Sequence, residues 1–104
     1  MEVVLIDAFL VPDDATEAFL AQSEQAQYLV SQIDGFVEGM IYEKVDGDSP
    51  YQVITVAVWE SDFAFSTAKQ IVKEAHQEQG FNPQDFMDGL NVLQVRSVYH
   101  RRPY

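Results

Sequence analysis

Two side chains in this chain of 104 residues, His76 and Asp7, have the type and setting to move a proton. His76 follows Val72 by four residues and Ala68 by eight, so helical spacing carries all three toward one face. An imidazole on such an apolar wall is either a core histidine with satisfied nitrogens, or a ligand or general base. Asp7 interrupts an apolar stretch and shares parity with Leu5 and Phe9. A carboxylate buried there either takes ion-pair or hydrogen-bond partners, here expected at a subunit seam, or has its pKa raised and works as an acid or base. Trp59 is either a large core aromatic or a platform for a planar ligand. Tyr42 and Tyr51 supply hydroxyls on neighbouring strands. His76, His100 and the scattered carboxylates lack metal-ligand spacing, so no structural metal site is expected.

The elements that must position these groups are legible from periodicity and punctuation. Glu2 to Val11 is rich in β-branched and aromatic residues and stops at Pro12, which predicts a strand. Asp14, with Glu17 three residues on, predicts a capping box and a helix whose inner face carries Phe19, Ser23, Ala26, Val30 and Ile33. Gly35 closes it. Strands are expected over 36–45 and 51–59 around the turn Asp46-Gly-Asp-Ser-Pro50. Ser61 and Asp62 open a second helix with the inner stripe Phe65, Ala68, Val72, Ala75 and Gln79, ended by Gly80. Residues 81–89 read as a loop with one helical turn capped by Asn82 ahead of Pro83, able to serve either as a lid or as a plain connection. A last strand is expected over 90–99 and a tail over 100–104. The order βαββαβ predicts one ferredoxin-like α+β domain over 1–104, with a four-stranded antiparallel sheet.

Both faces of that sheet are apolar. Val3, Leu5, Phe9 and Val11 alternate with Val4, Ile6, Ala8 and Leu10, and the third strand behaves alike. Two helices cover only one face, so a homodimer with sheets packed face to face is expected.

Composition removes other classes. Without cysteine there are no disulfides, thiolate metal sites or thiol nucleophiles. The net charge of −11 argues against nucleic acid, no apolar run is long enough to span a membrane, and no basic leader precedes an apolar core; a cytoplasmic protein is the expectation. The charge is uneven. Residues 1–95 hold all 17 acids against three lysines, whereas 96–104 hold Arg96, Arg101 and Arg102 and no acid. Arg101 and Arg102 are expected to meet acidic surface across the dimer seam.

The stretch Gln32-Ile-Asp-Gly-Phe36, and Val56-Ala-Val-Trp-Glu-Ser61 followed by Phe65, resemble the antibiotic biosynthesis monooxygenase family of dimeric α/β-barrel proteins. The resemblance implies a cavity between sheet and helices that takes a small planar aromatic or quinone-like substrate against Trp59 and Phe65. It implies oxygenation without a cofactor or linked to haem. The run Val72-Lys-Glu-Ala-His76 is similar to the helix through which haem-degrading relatives ligate iron, which implies haem as a cofactor and His76 as its ligand. Where quinone-forming members carry Asn, Tyr and Arg, this chain has Thr55, Phe65 and, approximately, Gln79. The resemblance therefore implies His76 and Asp7 as catalytic groups and Trp59, Phe65, Thr55, Tyr42 and Val72 as substrate-binding ones. The departures favour the alternative, a non-catalytic dimeric module that binds a hydrophobic ligand or haem.

Overall fold

The computed structural model describes residues 1–103. In chain order the elements are β1 (Val3–Leu10), a 3-10 turn (Asp13–Ala15), α1 (Thr16–Ser31), β2 (Phe36–Glu43), β3 (Val53–Trp59), α2 (Asp62–Gln79), α3 (Pro83–Gly89) and β4 (Leu93–His100). The strands form one antiparallel sheet in the order β2-β3-β1-β4, the ferredoxin-like α+β arrangement.

Local chemistry explains most boundaries. Ser61 accepts a hydrogen bond from the Ala64 amide at 3.1 Å, and Gly80, at φ 66°, closes α2 in the left-handed region. Asn82 accepts from the Asp85 amide at 3.0 Å ahead of Pro83, so residues expected as a loop with one turn instead form the helix α3. That helix runs to Gly89 and exits through Asn91 at φ 58°, which delays β4 to Leu93 and brings His100 into the strand. The expected capping box at Asp14 does not form. The Ala15 amide bonds back to the Pro12 carbonyl at 2.9 Å, the chain enters α1 through the 3-10 turn, and Asp14 stays exposed.

Register sorts the sheet residues into two faces. Val3, Leu5, Asp7 and Phe9 of β1 stand beside Trp59, Ala57, Thr55 and Val53 of β3 and beside His100, Val98, Arg96 and Gln94 of β4. This is the helix side, because Phe9 packs with Phe19 of α1, and Val3 and Trp59 pack with Phe65 of α2. An irregularity in β2 between Phe36 and Glu38 brings the Phe36 ring edge-on to Trp59, with centroids 5.4 Å apart. The opposite face carries Val4, Ile6, Ala8, Ile54, Val56 and Val95 at its centre.

The helix-side core is two clusters rather than one. Phe9, Val11, Phe19, Val53, Met87 and Val92 form the first, and Val3, Trp59, Phe65 and Ala68 the second. On α1 the expected inner residue Ala26 is exposed, and Gln27 turns inward in its place. Arg101 pairs with Glu2 at 2.9 Å and with Glu38 at 3.2 Å, acids of its own sheet, whereas Arg102 is exposed.

Two glycines separate strain from freedom. Gly35 has φ +91°, and a methyl group there would lie 2.5 Å from the Ala64 Cβ; Gly89 has open space around it. Gly35→Ala is expected to lower stability by about 2 kcal/mol or more in urea unfolding, whereas Gly89→Ala should leave it unchanged or raise it by about 0.5 kcal/mol.

Candidate functional site

Between the two core clusters the helix side of the sheet changes character. One register row reads Ile41, Thr55, Asp7, Arg96 across the four strands, and the next reads Gly39, Ala57, Leu5, Val98. These rows bring Thr55, Asp7, Arg96, Gly39 and Ala57 in among Ile41, Leu5 and Val98, where the rows on either side hold Phe9 and Val53, or Trp59 and Phe36. From α1, Ser23 and Gln27 come down over the same band. The Ser23 hydroxyl donates to the Phe19 carbonyl at 2.9 Å, and the Gln27 amide donates to the carbonyls of Met40 at 3.4 Å and Val56 at 3.3 Å. Gly39 makes room for this. A β-carbon there would collide with Gln27 Oε1 and lie 2.9 Å from Phe36 Cζ. A polar seam thus crosses an otherwise apolar layer.

Asp7 is its most buried charge. Both carboxylate oxygens accept from Arg96, Oδ1 from Nε at 2.8 Å and Oδ2 from Nη2 at 2.9 Å. The Asp7 side chain is 7% exposed and that of Arg96 is 56% exposed. The hydrogen bonds to Asp7 raise the Arg96 pKa above its ordinary value, against an opposing effect of burial. A raised cation contributes its stability fully below its ordinary pKa and loses it only as pH climbs through the raised one, so Arg96 stays charged at every working pH. This fork supplies the partner that a buried Asp7 requires, and it does so within one chain instead of at a subunit seam.

The residues singled out from the sequence do not all meet. Trp59, 3% exposed, and Phe65 lie in one core cluster, with the Lys69 ammonium 4.8 Å from the Phe65 ring centroid. Thr55 stands next to Asp7 on the helix side, half-buried. Val72 is half-buried on α2. Tyr42 is carried to the opposite face beside Ile54, where with Tyr51 and Lys44 it lines a surface hollow of about 240 Å³. It lies on the side of the sheet opposite the Trp59–Phe65 cluster. His76 is eleven residues beyond Phe65 on α2, about 16 Å along the axis. Its ring meets Phe81 edge-on at 5.3 Å, and it lines a cleft of about 250 Å³ between α1 and α2 whose other walls include Gln22, Gln25, Gln32 and Gln79.

Those walls bear on a cofactor. An axial haem ligand needs a flat apolar slot beside the imidazole. Four glutamines stand in the walls of the His76 cleft together with Ala26, Tyr28 and Leu29, and Phe81 lies against the imidazole; the chemistry below is derived without haem.

Arg96, Gln27 and Gly39 were not among the expected site residues. The signal for Arg96 was present in the sequence, since a buried Asp7 demands a cation and Arg96 is the one base expected within the last strand. Gln27 carried no signal, because its amide displaces an alanine from the inner face of α1.

Structural relatives share this architecture. A candidate monooxygenase from Shewanella loihica PV-4 superposes with a TM-score of 0.73 at 25% identity, over 99% of this chain and 96% of that one. A point mutant of SnoaB, a cofactor-independent oxygenase from Streptomyces nogalater, gives 0.69 at 17% identity, over 99% and 95%. The chain has the fold of the antibiotic biosynthesis monooxygenases. A heme-degrading protein from Mycobacterium tuberculosis is also similar, with a TM-score of 0.59 and 29% identity over 66% of this chain and 78% of that one. No family model matches the sequence, and no curated protein matches it. Among the described residues, no helix is long and apolar enough to cross a membrane.

The fork makes an asymmetric prediction about stability. Arg96→Leu strands a buried carboxylate and is expected to cost about 3 kcal/mol in urea unfolding. Asp7→Leu leaves a guanidinium that already reaches water and should cost about 1 kcal/mol or less. Equal costs would show that Asp7 also has access to solvent.

Proposed function

We propose that this protein is a monooxygenase of the antibiotic biosynthesis type that works without a cofactor, as a homodimer, on a small planar aromatic or quinone-like substrate. The observation that carries this reading is the seam itself. In a layer framed by Phe9, Phe19, Trp59 and Phe65, the fold sets Ala57, Thr55 and Asp7 side by side, with Gln27 reaching over Gly39 and Leu5 and Ile41 in the same rows. Small side chains framed by aromatic clusters suit a flat ring, and a few polar groups at the centre suit its oxygen substituents. The structural likeness to SnoaB and to the Shewanella protein supports the same reaction class.

The chemistry such a site has to support is modest. An ionised electron-rich phenol gives one electron to dioxygen, the two radicals combine at a ring carbon that bears hydrogen, and the peroxide takes up a proton. That carbon then loses its proton as the O–O bond breaks, and the departing hydroxide takes it to become water. One oxygen atom ends as a ring carbonyl and the other as water. The protein's part is to hold the ring flat, to keep bulk water out and to compensate the anion. Trp59 and Phe65 provide the apolar wall. Thr55 and Gln27 provide hydroxyl and amide groups along the seam, and Asp7 and Arg96 provide its charges. His76 belongs to a different cleft, between α1 and α2, and has no part in this scheme.

The dimer follows from the uncovered face. Met40, Tyr42, Leu93, Val95 and Tyr99 are each about half exposed or more, on the side of the sheet that no helix covers. A patch of this kind is what a second sheet buries.

Oxygen uptake with dihydroxynaphthalenes and related hydroquinones tests the reaction. The expected result is consumption of one dioxygen per quinone formed, unchanged by chelators and by His76→Ala. A flat trace across such a panel, with the compounds still bound, would leave a binding module instead. Titration with haem should give no Soret shift that His76→Ala abolishes; such a shift would restore the haem-linked reading. Sedimentation should give twice the chain mass of 11.8 kDa, and Val95→Glu should return it to a monomer.

A further inference from the structure

The seam of the proposed site holds no unpaired base. Asp7 has both oxygens committed to Arg96, and His76 is about 16 Å away along α2 from Phe65. What the seam does hold is a cation with its geometry fixed and part of its hydrogen-bonding capacity unused. A guanidinium carries five N–H donors in a rigid plane. Asp7 engages one on Nε and one on Nη2, which leaves the two on Nη1 and the second on Nη2. The far edge of the same planar fork is therefore turned away from Asp7. It belongs to β4, the edge strand of the sheet, and the side chain is more than half exposed although its partner is almost fully buried.

A pair serving stability alone has little reason to take this form. Burying a carboxylate among Leu5, Phe9 and Thr55 carries a desolvation cost that an ion pair at best offsets, and apolar replacements of such pairs are often neutral or stabilising. The arrangement does achieve one thing an apolar pair could not. It locks the guanidinium plane by a contact on one edge and presents the other edge in a single orientation, beside the seam and in a body of net charge −11 where cations are scarce. Of the other arginines, Arg101 is already shared between Glu2 and Glu38.

We propose that Arg96, held in plane by Asp7, is an anion-recognition element of the site, and that the substrate is a planar aromatic bound already ionised, through a ring carboxylate or an acidic hydroxyl. The inference rests on the monooxygenase reading for its location between sheet and helices, and it specifies the substrate class that reading leaves open. Asp7 is here a positioning residue. It acts through Arg96, and the anion lies on the far side of the guanidinium. A substrate whose reacting hydroxyl arrives ionised needs no base for the electron transfer to dioxygen, and the ring C–H proton lost later, as the O–O bond breaks, passes to the departing hydroxide. Bidentate geometry favours a carboxylate or a peri-related pair of oxygens over a single neutral hydroxyl.

The test uses the single tryptophan, Trp59, as reporter and two naphthalenes of similar size, 1-hydroxy-2-naphthoate and 1-naphthol, at neutral pH. Fluorescence titration of the wild-type protein should show the carboxylate bound about 10- to 100-fold more tightly, with the preference shrinking as salt is added. The double variant Asp7→Leu/Arg96→Leu removes both charges together, so it should keep its melting temperature while the preference falls to about one and 1-naphthol affinity stays put. Arg96→Lys should retain only part of the preference, because a point charge cannot offer the fork. Asp7→Asn should also reduce the preference, since a neutral amide holds the guanidinium plane less firmly. Equal affinities in the wild type, or a preference that survives the double variant, would overturn the proposal. Anion preference without oxygen uptake would sink the monooxygenase reading and leave the anion site standing. Uptake with neutral phenols that is indifferent to Arg96→Lys and to the double variant would do the reverse.

Discussion

A four-stranded sheet that is apolar on both faces has to be covered twice, and the architecture of this protein follows from that constraint. On one side α1 and α2 do the covering, through Phe19 packed on Phe9 and through Phe65 and Ala68 packed with Val3 and Trp59. On the other side, among the described residues, the chain provides the Arg101 strap between Glu2 and Glu38, at one end of the face. The first covering is incomplete as well. Two helices laid across four strands make their best contacts towards the two ends of the sheet, and the middle band is left to Gly39, Ala57, Thr55 and Asp7. Incomplete packing on the helix side gives the seam, and absent packing on the opposite side gives the surface for a second copy.

Much of this was legible in the sequence because it depends on local chemistry. Strand alternation, a helix opening at Ser61–Asp62 and ending at Gly80, and the Asn82 cap ahead of Pro83 each need only neighbours within a few residues, and these stand as read, although the turn after Asn82 extends into the helix α3. The expectations that failed were those in which a local signal met a competing bond. Asp14 had a capping partner in Glu17, but the Pro12 carbonyl took the first amide and the chain entered α1 by a tighter turn. Ala26 had the better hydropathy, but Gln27 could reach two carbonyls over a glycine, and the helix rotated to let it. Tyr42 was assigned to the pocket from its strand alone. The irregularity between Phe36 and Glu38 must be known before the parity of β2 can be carried through, and it turns Tyr42 to the other face.

The site was legible in its walls and not in its charges. Trp59 and Phe65 are where the motif places them, in one cluster between sheet and helices. Asp7 was recognisable as a buried carboxylate, yet its partner is 89 residues away in sequence, and only the register of β1 against β4 brings the two together. His76 shows the opposite error. Its spacing from Val72 and Ala68 was sound, but a helix of eighteen residues is long enough for one stripe to serve two environments. The near end of the stripe packs against Trp59, and the far end opens on a cleft between α1 and α2 lined by glutamines together with Ala26, Tyr28 and Leu29.

That division of α2 bears on how the fold can keep a reaction class while its residues change. If proton transfer depended on His76, the helix would have to bring its far end to the same ring that lies on Phe65, and its rise per residue forbids this for a small substrate. An oriented cation relaxes the requirement for the first step, because a reacting hydroxyl that is already ionised needs compensation where its charge lies and no group positioned to take its proton. The compensating charge then need not come from a helix at all. A strand residue on the sheet edge serves, provided something fixes its plane, and the buried carboxylate at the centre of β1 is placed to do that. On this view the polar residue that most disturbs the hydrophobic pattern of the chain is not a defect in the core. It is what converts a flexible surface arginine into a group of defined direction.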